Sequence, residues 1–269
     1  MFKSSLREKW NSGTTTVNGW LTIGNNFTAE IMAAQDYDSL TIDYQHGAYG
    51  FDQVLGMVQA IRGSGTATLV RVPWRAPGDL MKTLDLGVEG VICPMVNTAE
   101  EAAELAAYCH YPPRGERSFG PTRAMFGVSP DYYKTANDEV VVLAMIETGE
   151  ALKNVDAIIA TDGIDGLYIG PADLTLGVTN GRLQPGQDRE EPEMLEAIQT
   201  ILKAAKNAGK FACLHTGSAA YAVKGAGWGF DMVTIGSDAK SMSGAAAAAI
   251  KDFRTGVGQD ASDGIESGY

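Results

Sequence analysis

Six polar side chains in the sequence stand where an apolar run breaks off or is interrupted: Asp43 and His46 in SLTIDYQHG, Arg71 in LVRVP, Glu147 in VVLAMIE, Asp173 in IGPAD and His215 in FACLHT. Glu147 and Asp173 are hard oxygen donors. Two carboxylates from neighbouring elements make a partial cage for Mg²⁺ or Mn²⁺, with substrate and water oxygens completing the shell. Each also reads as a helix-capping acid favoured by the helix dipole. A guanidinium inside an apolar strand needs an anionic partner. For Arg71 that partner is Asp43 or Glu147 in a structural salt bridge, or else an oxyanion that develops on a bound substrate. His46 lies at a strand-to-loop junction with Asp43 close enough to fix its tautomer, a suitable place for a general base. His215 lacks such company and reads as a core or rim residue. His110 ends a helix and reads as a cation that complements its dipole. From Gly170 through Pro171, Ala172 and Asp173 the chain turns from strand to helix, which offers the amides of Ala172 and Asp173 to a carboxylate. A tight structural turn would look the same.

These groups act together only if the fold brings them to one rim. Short β-branched runs recur along the chain, each bounded by turn residues and followed by a helix-like segment: NGWLTIG, SLTIDYQ, ATLVRVP, GVICPMV, VVLAMIE, GLYIGP, FACLHTG and MVTIGS. Strand alternating with helix about eight times in roughly 240 residues predicts a closed (β/α)8 TIM barrel, whose strands present their C-terminal ends on one face. The rival, an open doubly wound sheet, lacks the G-x-G-x-x-G that a dinucleotide fold needs after its first strand. Residues 1–257 are expected to form a single barrel domain, followed by a polar, acidic, frayed tail at 258–269. Two long connections, 111–139 and 174–193, are expected to leave the C-terminal face and to serve the site.

Composition narrows the partners. With 21 Lys+Arg against 33 Asp+Glu the chain carries a net charge of -12, which argues against nucleic acid or an anionic bilayer as the main partner. No apolar run reaches the roughly 18 residues of a membrane span, and the first residues lack a signal-like apolar stretch. The 3 cysteines are scattered and form no C-x-x-C pair, which fits a reducing, cytoplasmic setting. Schiff-base chemistry needs a lysine inside the barrel. None of the predicted strands carries one, since Lys210 precedes the seventh strand and Lys240 lies beyond the eighth, so a metal is the natural electron sink.

In combination, IDYQHG (42–47), LVRVP (69–73), KTLDLGVEGVICPMV (82–96), YPPRGERSFGP (111–121), MIETGEAL (145–152) and GLYIGPADLTLG (166–177) resemble the metal-dependent, class II 2-oxo-acid aldolase family. That family includes 4-hydroxy-2-oxoheptanedioate and 2-dehydro-3-deoxyglucarate aldolases. The resemblance runs from about Gly19 to Ile250. It implies reversible cleavage of a 4-hydroxy-2-oxo acid to pyruvate and an aldehyde, with Glu147 and Asp173 binding Mg²⁺, Mn²⁺ or Co²⁺. It also implies that Arg71 steadies the pyruvate enolate, His46 handles protons, Asp43 orients His46, and Gly170, Pro171, Ala172 and Asp173 hold substrate. Asp85 would reach a neighbouring subunit's site or support the base; its plainer reading is a helix-surface acid. A homo-oligomer, hexameric or trimeric, is implied, with the last helix, AKSMSGAAAAAIKDF, exchanged between subunits. Gln45, Met145 and Phe119 depart from the family pattern and bear on the choice of aldehyde. Two other functions compete: a phosphate-ester isomerase or decarboxylase that uses Gly217/Ser218 and Gly236/Ser237 as a phosphate cradle, and a non-catalytic assembly subunit.

Overall fold

The computed structural model describes residues 1–260; the rest of the acidic tail, 261–269, lies outside the described residues. Strands β1 (Thr16–Leu21), β2 (Ser39–Asp43), β3 (Ala67–Arg71), β4 (Gly90–Cys93), β5 (Val141–Ile146), β6 (Gly166–Ile169), β7 (Phe211–Thr216) and β8 (Met232–Ser237) alternate with helices along the chain. Each strand pairs in parallel with the next, and β8 closes on β1, so the sheet is a barrel and not an open doubly wound sheet. Every residue of β2 to β6 is buried, as expected for strands covered by side chains within and by helices without. The register of β1 on β8 slips between Asn18 and Trp20, which brings Trp20 opposite Ser237 at the upper end of the barrel.

The lower end is plugged. Helix Ser5–Asn11 inserts Leu6 and Trp10 into a cluster with Ala67, Leu69, Ile92, Val141 and Leu143, and the Trp10 indole donates to Thr16 Oγ1 at 2.8 Å. Access to the interior is therefore from the C-terminal ends of the strands.

Of the two long connections, the first does not leave that face. Residues 111–139 follow helix Ala99–Cys109, and a chain that has run down a helix emerges at the lower end. There the segment forms two short helices, Thr122–Gly127 and Tyr132–Glu139. It docks on the last turn of helix Pro77–Asp85, with Arg117 paired to Asp85 at 2.7 Å and Tyr132 Oη donating to the Leu84 carbonyl at 3.3 Å. The second segment does return to the rim after helix Pro171–Thr179, where Asp188 Oδ1 accepts the Gly217 N–H at 2.7 Å.

His110 also differs from its expected role. It is buried, its Nδ1 lies 2.7 Å from the Ala106 carbonyl, and burial lowers its pKa, so it closes its helix by a neutral hydrogen bond and not as a cation.

The last helix, Asp238–Gly256, leaves the barrel. Asp238 is its only buried residue; the carboxylate accepts the Thr22 and Ile23 N–H groups and anchors the first turn to the end of β1. Beyond that turn Met242, Ile250 and Phe253 are exposed. Among the described residues no helix is long and apolar enough to cross a membrane.

Candidate active site

A cavity of about 240 Å³ opens at the upper mouth of the barrel, lined by Asp43, His46, Arg71, Glu147, Gly170, Pro171, Ala172, Asp173 and His215 among others. Of the residues singled out in the sequence for catalysis, substrate or metal, Asp85 alone does not reach it. Asp85 ends helix Pro77–Asp85 and lines a separate surface groove with Ser118, Phe119 and Gly120.

Asp43 and Arg71 are register partners at the ends of β2 and β3. Their side chains form a buried fork, Nε to Oδ1 at 2.9 Å and Nη2 to Oδ2 at 2.6 Å. The Trp20 indole donates to Asp43 Oδ2 at 3.2 Å, and the main-chain N–H groups of Gln45 and His46 reach Oδ1 at 3.2 and 3.1 Å. Burial alone would raise the Asp43 pKa, but the hydrogen bonds and charge of Arg71 outweigh it and hold the carboxyl below its usual range. Asp43 thus grips Arg71 directly and grips His46 through the backbone of its turn. The structural and functional readings of Arg71 are compatible: the salt bridge fixes a guanidinium that still lines the cavity.

Glu147 follows β5 and is 2% exposed. Its Oε1 accepts the Met95 N–H at 2.8 Å, and Met95 adopts φ 56°, a left-handed conformation that side chains other than glycine adopt at a cost. A Cβ on Gly170 would lie 2.7 Å from Glu147 Oε2, so glycine there leaves the carboxylate its space. Burial, with a further contribution from the charge of Asp173, lifts the Glu147 pKa to about 7. Asp173 sits in the first turn of helix Pro171–Thr179, whose N-cap, Gly170, supplies no side-chain hydrogen bond.

This donor set suits a hard divalent cation. A buried carboxylate whose ionisation is opposed by burial and by a second carboxylate is relieved by a cation between them. Among the described residues no group of three or more His, Cys, Asp or Glu side chains forms a complete metal cage. A cation held by two carboxylates alone would have its remaining coordination positions open to substrate and water.

Four groups carry more of the site than the sequence reading allowed. Trp20 lies on the inward face of β1, and its ring packs 4.9 Å from the Arg71 guanidinium carbon. Gln187 enters from the connection before helix Pro192–Asn207, and Lys240 Nζ lies 3.3 Å from its Oε1. Lys240 does lie beyond the last strand, but the first helical turn after Ser237 brings it back over the mouth, so the cavity is not free of lysine. His215 lines the wall, its Nδ1 2.9 Å from Tyr168 Oη. Period-two alternation from Asn18 would have pointed to Trp20; nothing periodic marks Gln187.

The phosphate cradle of the competing isomerase or decarboxylase reading is otherwise engaged. The Gly217 amide is taken by the Asp188 carboxylate, where a phosphate would be repelled, and the Ser218 and Ser237 hydroxyls cap the helices that follow them.

A closed (β/α)8 barrel with an arginine, a histidine and two metal-competent carboxylates on its C-terminal rim has the parts of a barrel lyase that works on 2-oxo acids. The chain matches the HpcH/HpaI aldolase/citrate lyase family over residues 18–245 and belongs to that family. It is 43% identical over 251 residues, 93% of its length and 99% of the relative's, to a hydroxypyruvate/pyruvate aldolase of Rhizorhabdus wittichii. It is 34% identical to a 5-keto-4-deoxy-D-glucarate aldolase of Klebsiella pneumoniae, covering 81% of this chain and 84% of that one. A solved HpcH/HpaI aldolase/citrate lyase family protein from Burkholderia cenocepacia superimposes with a TM-score of 0.86 at 29% identity, covering 94% of this chain and 100% of the other. Membership makes this protein a carbon–carbon lyase.

Proposed function

We propose that the protein is a divalent-metal-dependent aldolase that reversibly cleaves a 4-hydroxy-2-oxo acid into pyruvate and an aldehyde. The observation that carries this reading is the buried Glu147 carboxylate, held at the rim with Asp173 across the mouth from a clamped Arg71. The names of the relatives support the same chemistry.

Glu147 and Asp173 would hold the cation, Mg²⁺, Mn²⁺ or Co²⁺, which supplies electron withdrawal from the carbonyl of the bound 2-oxo acid. Arg71, kept rigid by Asp43 and Trp20, lies ready to offset charge on the enolate oxygen without having to move. The first-turn amides of Ala172 and Asp173 offer the substrate carboxylate a helix N-terminus. His46, at the open side of the mouth, takes the proton of the 4-hydroxyl in cleavage and returns it in synthesis. Gln187 and Lys240 stand at the far edge, where the distal part of a substrate would lie.

The protein is further proposed to be a homo-oligomer, trimeric or hexameric, with the last helix docked on a neighbouring barrel and Asp85 turned toward a neighbour's site. The nearly complete exposure of that helix supports this arrangement. As a test, Glu147→Ala is expected to abolish metal-dependent pyruvate release in a coupled assay while the far-ultraviolet spectrum stays native. Full activity in that variant, or in wild type stripped by a chelator, would sink the metal reading.

A further inference from the structure

A second polar system inside the barrel takes no part in that chemistry. Ser39 Oγ and Thr41 Oγ1 donate to Asn18 Oδ1 at 2.9 and 3.0 Å, and Asn18 Nδ2 donates to Thr234 Oγ1 at 2.9 Å. Thr234 Oγ1 lies 2.7 Å from Tyr168 Oη, which lies 2.9 Å from His215 Nδ1. Ser39, Thr41, Asn18, Thr234 and Tyr168 are all buried, so each of their protons must find an acceptor within the protein.

Only one direction satisfies every hydroxyl proton of this hydrogen-bonded chain. The Thr41 hydroxyl has no acceptor among the described residues other than Asn18 Oδ1, and the alternative for Ser39 is the Met232 sulfur at 3.6 Å. The Asn18 amide therefore turns its oxygen to these hydroxyls and its NH₂ to Thr234. Thr234 Oγ1 accepts from Asn18, and among the described residues its own proton has only Tyr168 Oη as an acceptor, so the Tyr168 proton goes on to His215 Nδ1. Burial, reinforced by the charge of Arg71, lowers the His215 pKa to about 3, so the ring is neutral and its single proton is on Nε2. Nδ1 is turned down to Tyr168 and the ring stands edge-on to Trp20 at 4.8 Å, which leaves the Nε2 edge facing the cavity that His215 lines.

Under the aldolase reading, on which this inference rests, the oxygens of pyruvate are met from β3, β5 and the turn after β6. His215 stands on β7, beside the space left for the other half of the substrate. We propose that His215 is a specificity-determining hydrogen-bond donor whose Nε2–H binds an oxygen substituent on the aldehyde half, so that hydroxylated aldehydes are preferred over alkyl ones. An alkyl group placed there leaves the N–H desolvated and unpaired. The ring is a fixed donor and not a base, because the chain beneath it already occupies the other nitrogen.

The test has two parts on the intact enzyme. The ¹⁵N shifts of His215 in wild type are expected to show a protonated Nε2 and an unprotonated Nδ1; the opposite tautomer overturns the proposal. With pyruvate as donor, the ratio of kcat/KM for glycolaldehyde to that for acetaldehyde is expected to fall about 10-fold to 100-fold in His215→Phe, the scale of one hydrogen bond and the group left behind. His215→Gln, which keeps an N–H donor, is expected to recover most of that ratio. A folded His215→Phe with the wild-type ratio also overturns the proposal. Deuterium exchange at the pyruvate methyl group in wild type reports separately on the aldolase reading; if exchange is absent, that reading fails while the ¹⁵N shifts still decide the tautomer.

Discussion

At the level of single residues the proposed chemistry turns on Glu147, a carboxylate that the protein holds where ionisation is unfavourable. Its pKa rises from an ordinary 4.5 to about 7 because burial, and then Asp173, oppose the charge. A carboxyl whose pKa is higher folded than unfolded favours the folded state while it is protonated, and that contribution is lost as pH rises from about 4.5 through about 7. Metal-free protein is therefore expected to lose thermal stability across this window, and Glu147→Gln is expected to flatten the profile. Added Mg²⁺ competes with the proton, so its stabilising effect should be larger at pH 8 than at pH 6. Melting curves at both values check this, and a metal effect independent of pH would contradict it. The polar types at Asp43, His46, Arg71, Glu147 and Asp173 were legible in the sequence because a charge that interrupts an apolar run needs a reason. What each side chain holds was not. That Asp43 clamps Arg71 and also takes the main-chain N–H of His46 depends on register and rotamers that no spacing encodes.

At the scale of elements, the site is a product of neighbouring strand ends. The pairing of Asp43 with Arg71 follows from the β2–β3 register, and it makes the two residues interdependent. Arg71→Ala is expected to slow pyruvate methyl deuterium exchange by roughly 10²–10³-fold. It should also cost about 3–5 kcal/mol of stability, because Asp43 is left as a buried, unpaired anion. Adding Asp43→Asn to Arg71→Ala should recover much of the stability and none of the exchange. Nuclear magnetic resonance and chemical denaturation separate the two effects; recovery of exchange in the double variant would show that Arg71 acts only as a structural partner. The repeating strand-and-helix pattern was readable because apolar periodicity survives in every unit. The route of segment 111–139 was not, since its composition resembles that of an active-site loop. Only its position after a helix, where the chain has already returned to the lower end, places it away from the cavity. Lys240 was set aside for the converse reason: it follows a strand by one helical turn, and that turn reverses it over the mouth.

For the whole molecule, length and alternation were enough to indicate a closed barrel, because eight strands with connecting helices of this size have few other ways to bury both faces of a parallel sheet. What lies outside the barrel is harder to read from sequence. The last helix exposes Phe253 to 67% and Ile250 to 54%, and an apolar face of that kind calls for a partner surface. Deletion of residues 244–269 is expected to leave a folded barrel, since the residues that anchor the helix, Asp238 and Thr22, remain. Sedimentation should then show a monomer where the intact chain is expected to sediment as a trimer or hexamer, and an unchanged oligomer would place the interface elsewhere. The role of the two carboxylates at the mouth is decided by crystals grown with Mn²⁺ and pyruvate. An anomalous peak between Glu147 and Asp173, with the oxygens of pyruvate completing its shell and Arg71 beside them, is the expected result. A cavity without such a peak, with both carboxylates turned to protein partners, would contradict it.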